Sequence, residues 1–409
     1  MLTIKELYKS GSGPSSSHTI GPTRCCKRIL EIYKNKKVDF IKVILYGSLA
    51  LTGVGHHTDK AINRVLSKIN HEIINDIKTT NIPHPNTLDF EIYYENKLIG
   101  RHRFMSIGGG TIIMEGDKPL TDVYPQNTFE QIKTFCKKKK FSAYQYVCHY
   151  EGKQEMNEFL DHIWKIMSTT IQHGITKKGK IPGHVAFDRR ANKIFTNISS
   201  NEDEHTKMVR LISSYAYATN EENTCGGEVV TAPTCGSCGL VPAVLKYLVD
   251  KYKLNQQQIR EALAVGAIIG NVIKKNATVS GAEGGCQAEV GVACSMAAAM
   301  TSYVLYNAGW NEMEIAAENA LQHLLGLTCD AVCGYVFVPC IQRNAVFALR
   351  AIDHAILAHL IKDTSRLVKF DDTIKTMKET GDAIPEEYRE TSLAGLSKNA
   401  PYVLKFRKK

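Results

Sequence analysis

Three of the twelve cysteines, Cys286, Cys329 and Cys340, stand where their thiolates could meet at one point. Each lies in or beside a Gly- or Pro-marked break near a helical stretch, at a spacing much wider than the ferredoxin motif. Converging helix starts would surround an anionic thiolate cluster with backbone N–H groups. Three thiolates on a four-iron cluster leave one iron open as a Lewis acid. Buried cysteines on small-residue helices are the commoner cause of such a pattern, so spacing alone leaves both interpretations open.

Another cysteine pair, Cys235 and Cys238, has CxxC spacing. A thioredoxin-like pair would need a strand pattern that is missing here, and a four-cysteine zinc site would need a second CxxC. We therefore favour a structural role over a second metal or redox role. Four further cysteines have no companion motif and are interpreted as packing or surface residues: Cys25, Cys26, Cys136 and Cys148.

Two loops in the first part of the chain offer groups that suit an anion. The segment 11–22 reads GSGPSSSHTIGP, and its hydroxyls and amides suit a carboxylate or phosphate where Thr19 leads into a helix. A flexible loop with a helix cap explains the same composition. The second loop, Ser106 to Thr111, contains Gly108, Gly109 and Gly110. Triple glycine allows close approach to a ligand, and equally a bulge or tight turn.

Two adjacent histidines, His56 and His57, stand just before a predicted helix. An imidazole titrates near neutral pH, so either could act as a general base. Without further context, a surface or capping role is the commoner one for such a pair.

Residues 1–150 alternate strand and helix signals, which predicts a small α/β or α+β domain. Phe40 to Tyr46 is a β-branched apolar run that predicts a strand. The helical spacing of apolar residues from Thr58 predicts a helix to about Ile77. Phe90 to Tyr94 and Leu98 to Met105 flank a turn at Asn96-Lys97 and predict a β-hairpin.

Residues 151–409 carry few strand signals, which predicts a larger, nearly all-α domain. The segment 177–201 is polar and turn-rich and is interpreted as a surface connection. The remaining long stretches have helical spacing and many small residues. They are Glu155 to Gln172, Met208 to Thr219, Leu240 to Tyr252, Gln256 to Lys275, Ala288 to Asn307, Asn311 to Leu325, Cys340 to Leu360 and Asp371 to Thr380.

The net charge of +10 raises the question of nucleic acid. The lysines fall in separate clusters without interleaved stacking aromatics, so we expect a solvated surface and no nucleic-acid partner. The uncharged run Val290 to Trp310 is long enough to span a bilayer, but its flanks are acidic. We predict a buried helix and no membrane association. No signal peptide is readable, which predicts a cytoplasmic protein whose cysteines stay reduced.

The chain is similar to a known family over nearly its whole length. Its motifs resemble, in order, those of the bacterial iron–sulfur L-serine dehydratases in their single-chain form. The matching segments are 13–19 (GPSSSHT), 46–49 (YGSL), 55–59 (GHHTD), 106–110 (SIGGG), 220–223 (NEEN), 231–234 (TAPT), 280–283 (SGAE), 286–296 (CQAEVGVACSM), 327–330 (LTCD), 339–341 (PCI) and 388–392 (YRETS).

This resemblance implies deamination of L-serine to pyruvate and ammonia, a 4Fe–4S cluster, no pyridoxal phosphate, and a homodimer. It places the cluster on Cys286, Cys329 and Cys340. It implies that one of His56 and His57, with His57 preferred, removes the Cα proton. The substrate-facing positions are Ser15, Ser16, Ser17, His18, Thr19, Ser106, Gly108, Gly109, Gly110, Arg343 and Asn344.

Several positions depart from the family pattern. Ala331 replaces the usual Pro after the second cluster motif, Cys333 is an extra cysteine, and Gln342 replaces the usual Glu. Cys235 stands where Asn is usual, and the tail lacks a cysteine that could bind the open iron. These departures keep two alternatives open: the same elimination on L-threonine or another β-substituted amino acid, and a catalytically weak paralogue that senses an amino acid or iron.

Overall fold

The computed structural model describes residues 1–182, 187–332 and 335–400 of the chain. A mixed sheet with its helices forms from the first third of the sequence, and a helical assembly forms from the rest. The predicted order, an α/β region followed by a nearly all-α region, is confirmed. Cys333 and the tail from residue 401 lie outside the described residues.

The five-stranded sheet has the order β3-β2-β4-β5-β6. Strand β3 runs parallel to β2, and the other neighbours are antiparallel. The strands are β2 Phe40–Tyr46, β3 Asn70–Asp76, β4 Thr87–Tyr94, β5 Lys97–Ser106 and β6 Ile112–Met114. Its helices are α1 Gly21–Ile32, α2 Gly47–Thr52 and α3 Thr58–Leu66. The predicted strand at Phe40 to Tyr46 is confirmed.

The predicted hairpin is also confirmed, with its turn shifted by one residue. Glu95 and Asn96 join β4 to β5, and both have positive φ angles of 50° and 61°. Two successive left-handed residues are typical of a turn whose twist matches that of the paired strands.

The predicted helix from Thr58 to Ile77 is wrong beyond Leu66. Helix α3 ends there, and Asn70–Asp76 forms strand β3 along the open edge of β2. The β-branched Ile73 and Ile74 pair with Val43 and Ile44 of that strand. The free backbone groups of β2 and the β-branched side chains favour strand pairing over a further helical turn.

A small hydrophobic core lies between the sheet and its helices. It contains Cys25 and Cys26 of α1, which are fully buried and serve as packing residues. Other fully buried members come from the strands and from α2 and α3, among them Val43, Leu49, Ile62, Phe90 and Phe104.

The helical region surrounds one central helix, Val290–Tyr306. This helix packs against the helices Leu240–Tyr252, Gln256–Asn276, Trp310–Gln322 and Cys340–Ile361, and its residues from Val290 to Ser302 are all buried. The predicted buried helix is therefore confirmed. The longer helices are α4 Phe129–Lys139, α5 Ala143–Glu151, α6 Lys153–Thr176, α8 Glu204–Thr224, α9 Leu240–Tyr252, α10 Gln256–Asn276, α12 Val290–Tyr306, α13 Trp310–Gln322, α14 Cys340–Ile361 and α15 Phe370–Ala383. The short ones are α7 Ala191–Thr196, α11 Gly281–Gly284 and α16 Gly395–Asn399.

Within the described residues, one helix, Cys340–Ile361, is long and apolar enough to cross a membrane. The bent pair Gly281–Ala288 and Val290–Tyr306 passes the same test if it is taken as one span. Helices of a soluble core pass this test as well, so the finding carries little weight.

The predicted surface connection at 177–201 contains short elements of its own. Strands β7 (Lys180–Ile181) and β8 (Phe187–Asp188) form a small antiparallel pair, and α7 follows them. Helix α7 packs on α6 and α8, so the connection is attached to the helical region.

The first residues of the chain pack into the large helical core. Met1, Ile4, Leu7 and Tyr8 belong to this core together with Tyr124 and the side chains of α4 and α5. The domain boundary at residue 150 stays a prediction. Strand β1 (Ser10–Ser12) then pairs antiparallel with β9 (Glu228–Val230), which joins the two regions beside the polar loop.

Candidate active site

The polar loop folds into a buried turn directly before helix α1. Ser15 accepts a hydrogen bond from the backbone N–H of His18 at 3.2 Å, and one turn of wider helix, Ser16–Ile20, leads into α1. Each of the five side chains from Ser15 to Thr19 is at most 6% exposed. The loop is thus an ordered part of the fold and not a flexible surface segment.

His18 joins this turn to helix α2 through both nitrogens of its ring. Its Nδ1 lies 2.8 Å from the Ser17 hydroxyl and 3.3 Å from that of Ser15. Its Nε2 lies 2.9 Å from Thr52 Oγ1 and 3.2 Å from Ser48 Oγ. Burial lowers the pKa of His18 to about 4, so the ring is neutral at neutral pH.

The two adjacent histidines have different environments. His56 is 1% exposed, its ring centroid lies 4.5 Å from that of His18, and its Nδ1 lies 3.2 Å from the Thr52 carbonyl. His57 is partly exposed and precedes α3 with a φ of 58°. Burial lowers the pKa of both rings, so both are neutral bases near pH 7. The choice of His57 as the base stays a prediction.

The glycine loop lies against the polar turn on one side and the helical region on the other. A Cβ on Gly108 would come within 3.2 Å of the Ser280 side chain, and one on Gly109 within 3.1 Å of the Pro233 carbonyl. Gly108, Gly109 and Gly110 have φ angles of +96°, +56° and +75°. The close approach and the left-handed backbone explain why glycine stands at these positions.

Two hydroxyls beside this loop are buried without a hydrogen-bond partner in the described part of the chain. They belong to Ser106, at the end of β5, and to Ser280, opposite Gly108. A buried hydroxyl without a partner is costly in a folded protein unless a ligand or water satisfies it. These two groups are therefore available to a small polar ligand.

The three cysteines belong to three different segments of the helical region. Cys286 lies in the short helical turn Gly285–Ala288, and Cys340 is the first residue of α14. Cys329 is held by backbone hydrogen bonds of 2.8 Å with Tyr388 and Glu390. The three residues are 1%, 4% and 6% exposed, and all three thiols are free.

The thiols of Cys286 and Cys329 lie within 4.8 Å of each other and of a carboxylate oxygen of Glu289. A hydrogen bond from Cys329 and the positive charge of Arg343 lower the pKa of Cys286. The hydrogen bond with Cys286 raises the pKa of Cys329, and burial raises that of Cys340. A thiol must lose its proton to bind a metal, and these surroundings favour the thiolate of Cys286.

Sequence reasoning missed two carboxylates at this site, Glu289 and Glu390. Glu289 accepts a hydrogen bond from Thr234 at 2.7 Å, and a Cβ on Gly236 or Gly281 would come within 2.8 Å of its carboxylate. Glu390 belongs to the segment that holds Cys329 and has a φ of 59°. A charge three residues after Cys286, in an otherwise uncharged run, was the available signal for Glu289.

Arg343 and Asn344 follow Cys340 on α14 but contact different groups. Arg343 donates to the Thr328 carbonyl at 2.7 Å and lies beside the cysteines. Asn344 is fully buried, accepts from the N–H of Gly239 and donates to the carbonyls of Gly236 and Cys340. These contacts tie the CxxC loop to α14. Substrate binding by either residue stays a prediction.

The CxxC pair lies in a small hydrophobic cluster with Ile20 and Val229. Cys235 and Cys238 are fully buried, and burial raises the pKa of both thiols. Raised pKa values disfavour the thiolate that redox chemistry or a metal would need. The packing role predicted for this pair therefore agrees with its surroundings.

Two protein-family sequence models match the chain. The family described as "Serine dehydratase alpha chain" matches residues 58–397, and the one described as "Serine dehydratase beta chain" matches residues 3–75. All the segments that supply the candidate site lie within these two ranges.

Curated relatives match at nearly full length. L-serine dehydratase 2 of Escherichia coli is 36% identical over 97% of this chain and 98% of its own length. L-serine dehydratase of Streptomyces coelicolor is 35% identical over 97% of this chain and 99% of its own. The enzyme of the same name from Helicobacter pylori (strain 26695) is 35% identical, with 97% and 98% covered.

Proposed function

This chain belongs to the serine dehydratase family, and from that premise we propose that it converts L-serine to pyruvate and ammonia. Such an enzyme is a lyase: it removes the Cα proton and the β-hydroxyl of serine as water. The aminoacrylate that remains rearranges to an imine, which water hydrolyses to pyruvate and ammonia.

The observation that supports the proposal most is the close approach of the buried Cys286 and Cys329, with Cys340 near enough to be affected by the charge of Cys286. Cys286, Cys329 and Cys340 are soft ligands suited to iron, and Arg343 offsets the negative charge of thiolates. This donor set fits a 4Fe–4S cluster held by three thiolates. When bound, such a cluster would supply a Lewis-acidic iron for the leaving hydroxyl.

We assign the removal of the Cα proton to the histidine pair. A neutral imidazole can accept the Cα proton, and burial keeps both rings neutral near pH 7. We assign the role to His57, because His56 is almost completely buried with its Nδ1 on the Thr52 carbonyl.

We assign the binding of the substrate carboxylate to the polar turn and the glycine loop. The buried hydroxyls of Ser106 and Ser280 and the backbone amides of the loop are donors that suit a carboxylate. The polar turn beside this loop supplies the remaining polar side chains, which are those of Ser15, Ser16, Ser17, His18 and Thr19.

We further propose a homodimer, as the family resemblance implies, and a cytoplasmic location. The eleven cysteines of the described residues are all free, which agrees with a reducing compartment.

Anaerobic reconstitution with iron and sulfide, followed by an assay of keto-acid release, tests the proposal. We expect pyruvate from L-serine and much less 2-oxobutanoate from L-threonine. A faster reaction with L-threonine would favour the alternative substrate. A protein with a full cluster that releases neither product would contradict the proposed activity and favour a binding or sensing role.

A further inference from the structure

A partly buried group of charges lies behind the glycine loop, on the side of α1 and α10. It consists of Lys9, Glu6, Arg24 and Lys274, and we call it the charge cluster. Lys9 is only 8% exposed. Lysine is almost never buried to this extent without a specific set of partners.

Two of these cations hold the backbone of the glycine loop. Lys9 donates from Nζ to the Gly109 carbonyl at 3.1 Å, and Arg24 donates from Nη1 to the Gly110 carbonyl at 2.8 Å. Thr111, which ends the loop, accepts from Lys9 at 3.0 Å and donates to Glu6 at 2.9 Å.

These contacts determine the direction of the loop amides. The C=O and N–H of one peptide unit point in opposite directions, because a trans peptide is planar. With the Gly109 carbonyl on Lys9, the Gly110 N–H therefore points away from the charge cluster. In the part of the chain that is described, the N–H groups of Gly108, Gly109 and Gly110 donate no hydrogen bond. Successive free amides of this kind form an anion-binding concavity.

The charges behind the loop favour the binding of an anion by its free amides. Three cations, Lys9, Arg24 and Lys274, face the single carboxylate of Glu6. Lys9 and Arg24 hold the pKa of Glu6 at about 2 against its burial, so this carboxylate is ionised at neutral pH. Burial and the neighbouring charge of Lys274 lower the pKa of Lys9, and an anion held by the free amides would favour its protonated form.

We propose that Lys9 is a positioning residue for substrate binding: it fixes the glycine loop so that the free amides and the adjacent hydroxyl of Ser280 receive the carboxylate of an amino acid. The inference rests on the proposed function for the identity of the amino acid, L-serine. It adds a residue that touches no substrate atom and lies outside the motifs of the family resemblance.

Lys274 provides a matched control for this role. It is a partly buried member of the same cluster and donates to Thr111 Oγ1 at 2.9 Å and to the Glu6 carbonyl at 2.7 Å. It makes no hydrogen bond to a glycine carbonyl of the loop. Lys9→Met and Lys274→Met therefore each remove one lysine from the charge cluster, and only the first releases the loop.

The experiment compares reconstituted full-length proteins by steady-state kinetics with L-serine. For Lys9→Met we expect KM to rise about tenfold with kcat nearly unchanged. A tenfold rise corresponds to the loss of one hydrogen bond to a charged group. For Lys274→Met we expect KM to rise by about threefold or less, since only the more distant charge is lost. Equal effects of the two substitutions, or an unchanged KM for Lys9→Met, would overturn the inference.

A binding measurement separates this inference from the proposed activity. L-Alanine carries the same carboxylate and amino group but no hydroxyl to eliminate, and its binding is measured by calorimetry. We expect Lys9→Met to weaken it by the same factor as KM, even if wild-type protein releases no pyruvate. Wild-type protein that does not bind L-alanine would contradict the inference. If Lys9→Met does not fold, Arg24→Met is the substitute, because partly exposed Arg24 holds the Gly110 carbonyl.

Discussion

His57 occupies a left-handed backbone position at the start of α3, where asparagine, aspartate and histidine are the commonest residues after glycine. Asparagine tolerates this conformation and cannot take up a proton near pH 7. His57→Asn therefore tests the base without adding backbone strain. We expect kcat to fall about 10²–10⁴-fold while the visible absorbance of the cluster is unchanged.

The control for this substitution is His205→Asn, at an exposed position in the first turn of α8. It should leave kcat unchanged. If His57→Asn kept wild-type kcat, the base would have to be another group, and His56 would be the next candidate.

Glu221 is a second residue with a measurable signature. It is fully buried on α8; its Oε1 accepts from the N–H groups of Arg190 and Ala191, and its Oε2 has no partner among the described residues. Burial raises the pKa of this carboxyl to about 7. Its favourable contribution is complete below pH 4.5, the unfolded value, and is lost as the pH rises through about 7.

Glu221→Gln removes the ionisation and keeps the acceptor for Arg190 and Ala191. We expect it to raise the free energy of unfolding at pH 8 by up to about 3 kcal/mol and to change it little at pH 5. Urea unfolding at the two pH values measures the difference. A gain of equal size at both would show that ionisation is not the cause.

At the scale of elements, the pairing of β1 with β9 joins the sheet region to the helical region. Thr231, just after β9, accepts from the N–H of Lys9 at 2.9 Å and donates to the Leu7 carbonyl at 2.7 Å, and it is fully buried. Thr231→Val keeps the shape of the side chain and leaves the Lys9 N–H and the Leu7 carbonyl without this partner. We expect a loss of about 1–3 kcal/mol in the free energy of unfolding.

Thr376→Val is the matched control for the strand pairing. Its hydroxyl donates to the Asp372 carbonyl at an exposed position of α15, so its removal should change stability by less than about 0.5 kcal/mol. Similar losses for both substitutions would mean that the hydrogen bonds of Thr231 do not stabilise the junction.

Elements with a strong local pattern were predictable from the sequence. The bounds of α9, Leu240–Tyr252, match the prediction, because apolar periodicity and the flanking residues define both ends. Strand β3 was not predictable in this way. Ile73 and Ile74 satisfy a helical spacing as well as a strand, and only the open edge of β2 decides between them.

At the scale of the whole molecule, the site depends on contacts between residues that are far apart in the sequence. Met1 to Tyr8 pack into the helical core and carry Lys9 to the glycine loop, which no local pattern indicates. The place of Glu289 in the site could not be predicted from the sequence, because it depends on the packing of α11 and the loop of Gly236 around its carboxylate. The motif resemblance supplied the candidate cysteines, and the fold brings at least Cys286 and Cys329 into direct contact range.

The initial rate of pyruvate release from L-serine, measured on anaerobically reconstituted Cys340→Ser beside Cys238→Ser, tests the three-cysteine site most directly. Both residues are buried cysteines, but only Cys340 opens α14 beside Arg343. We predict that Cys340→Ser loses pyruvate release together with its iron, whereas Cys238→Ser keeps both. Wild-type rates in Cys340→Ser, or loss of iron only in Cys238→Ser, would contradict the assignment.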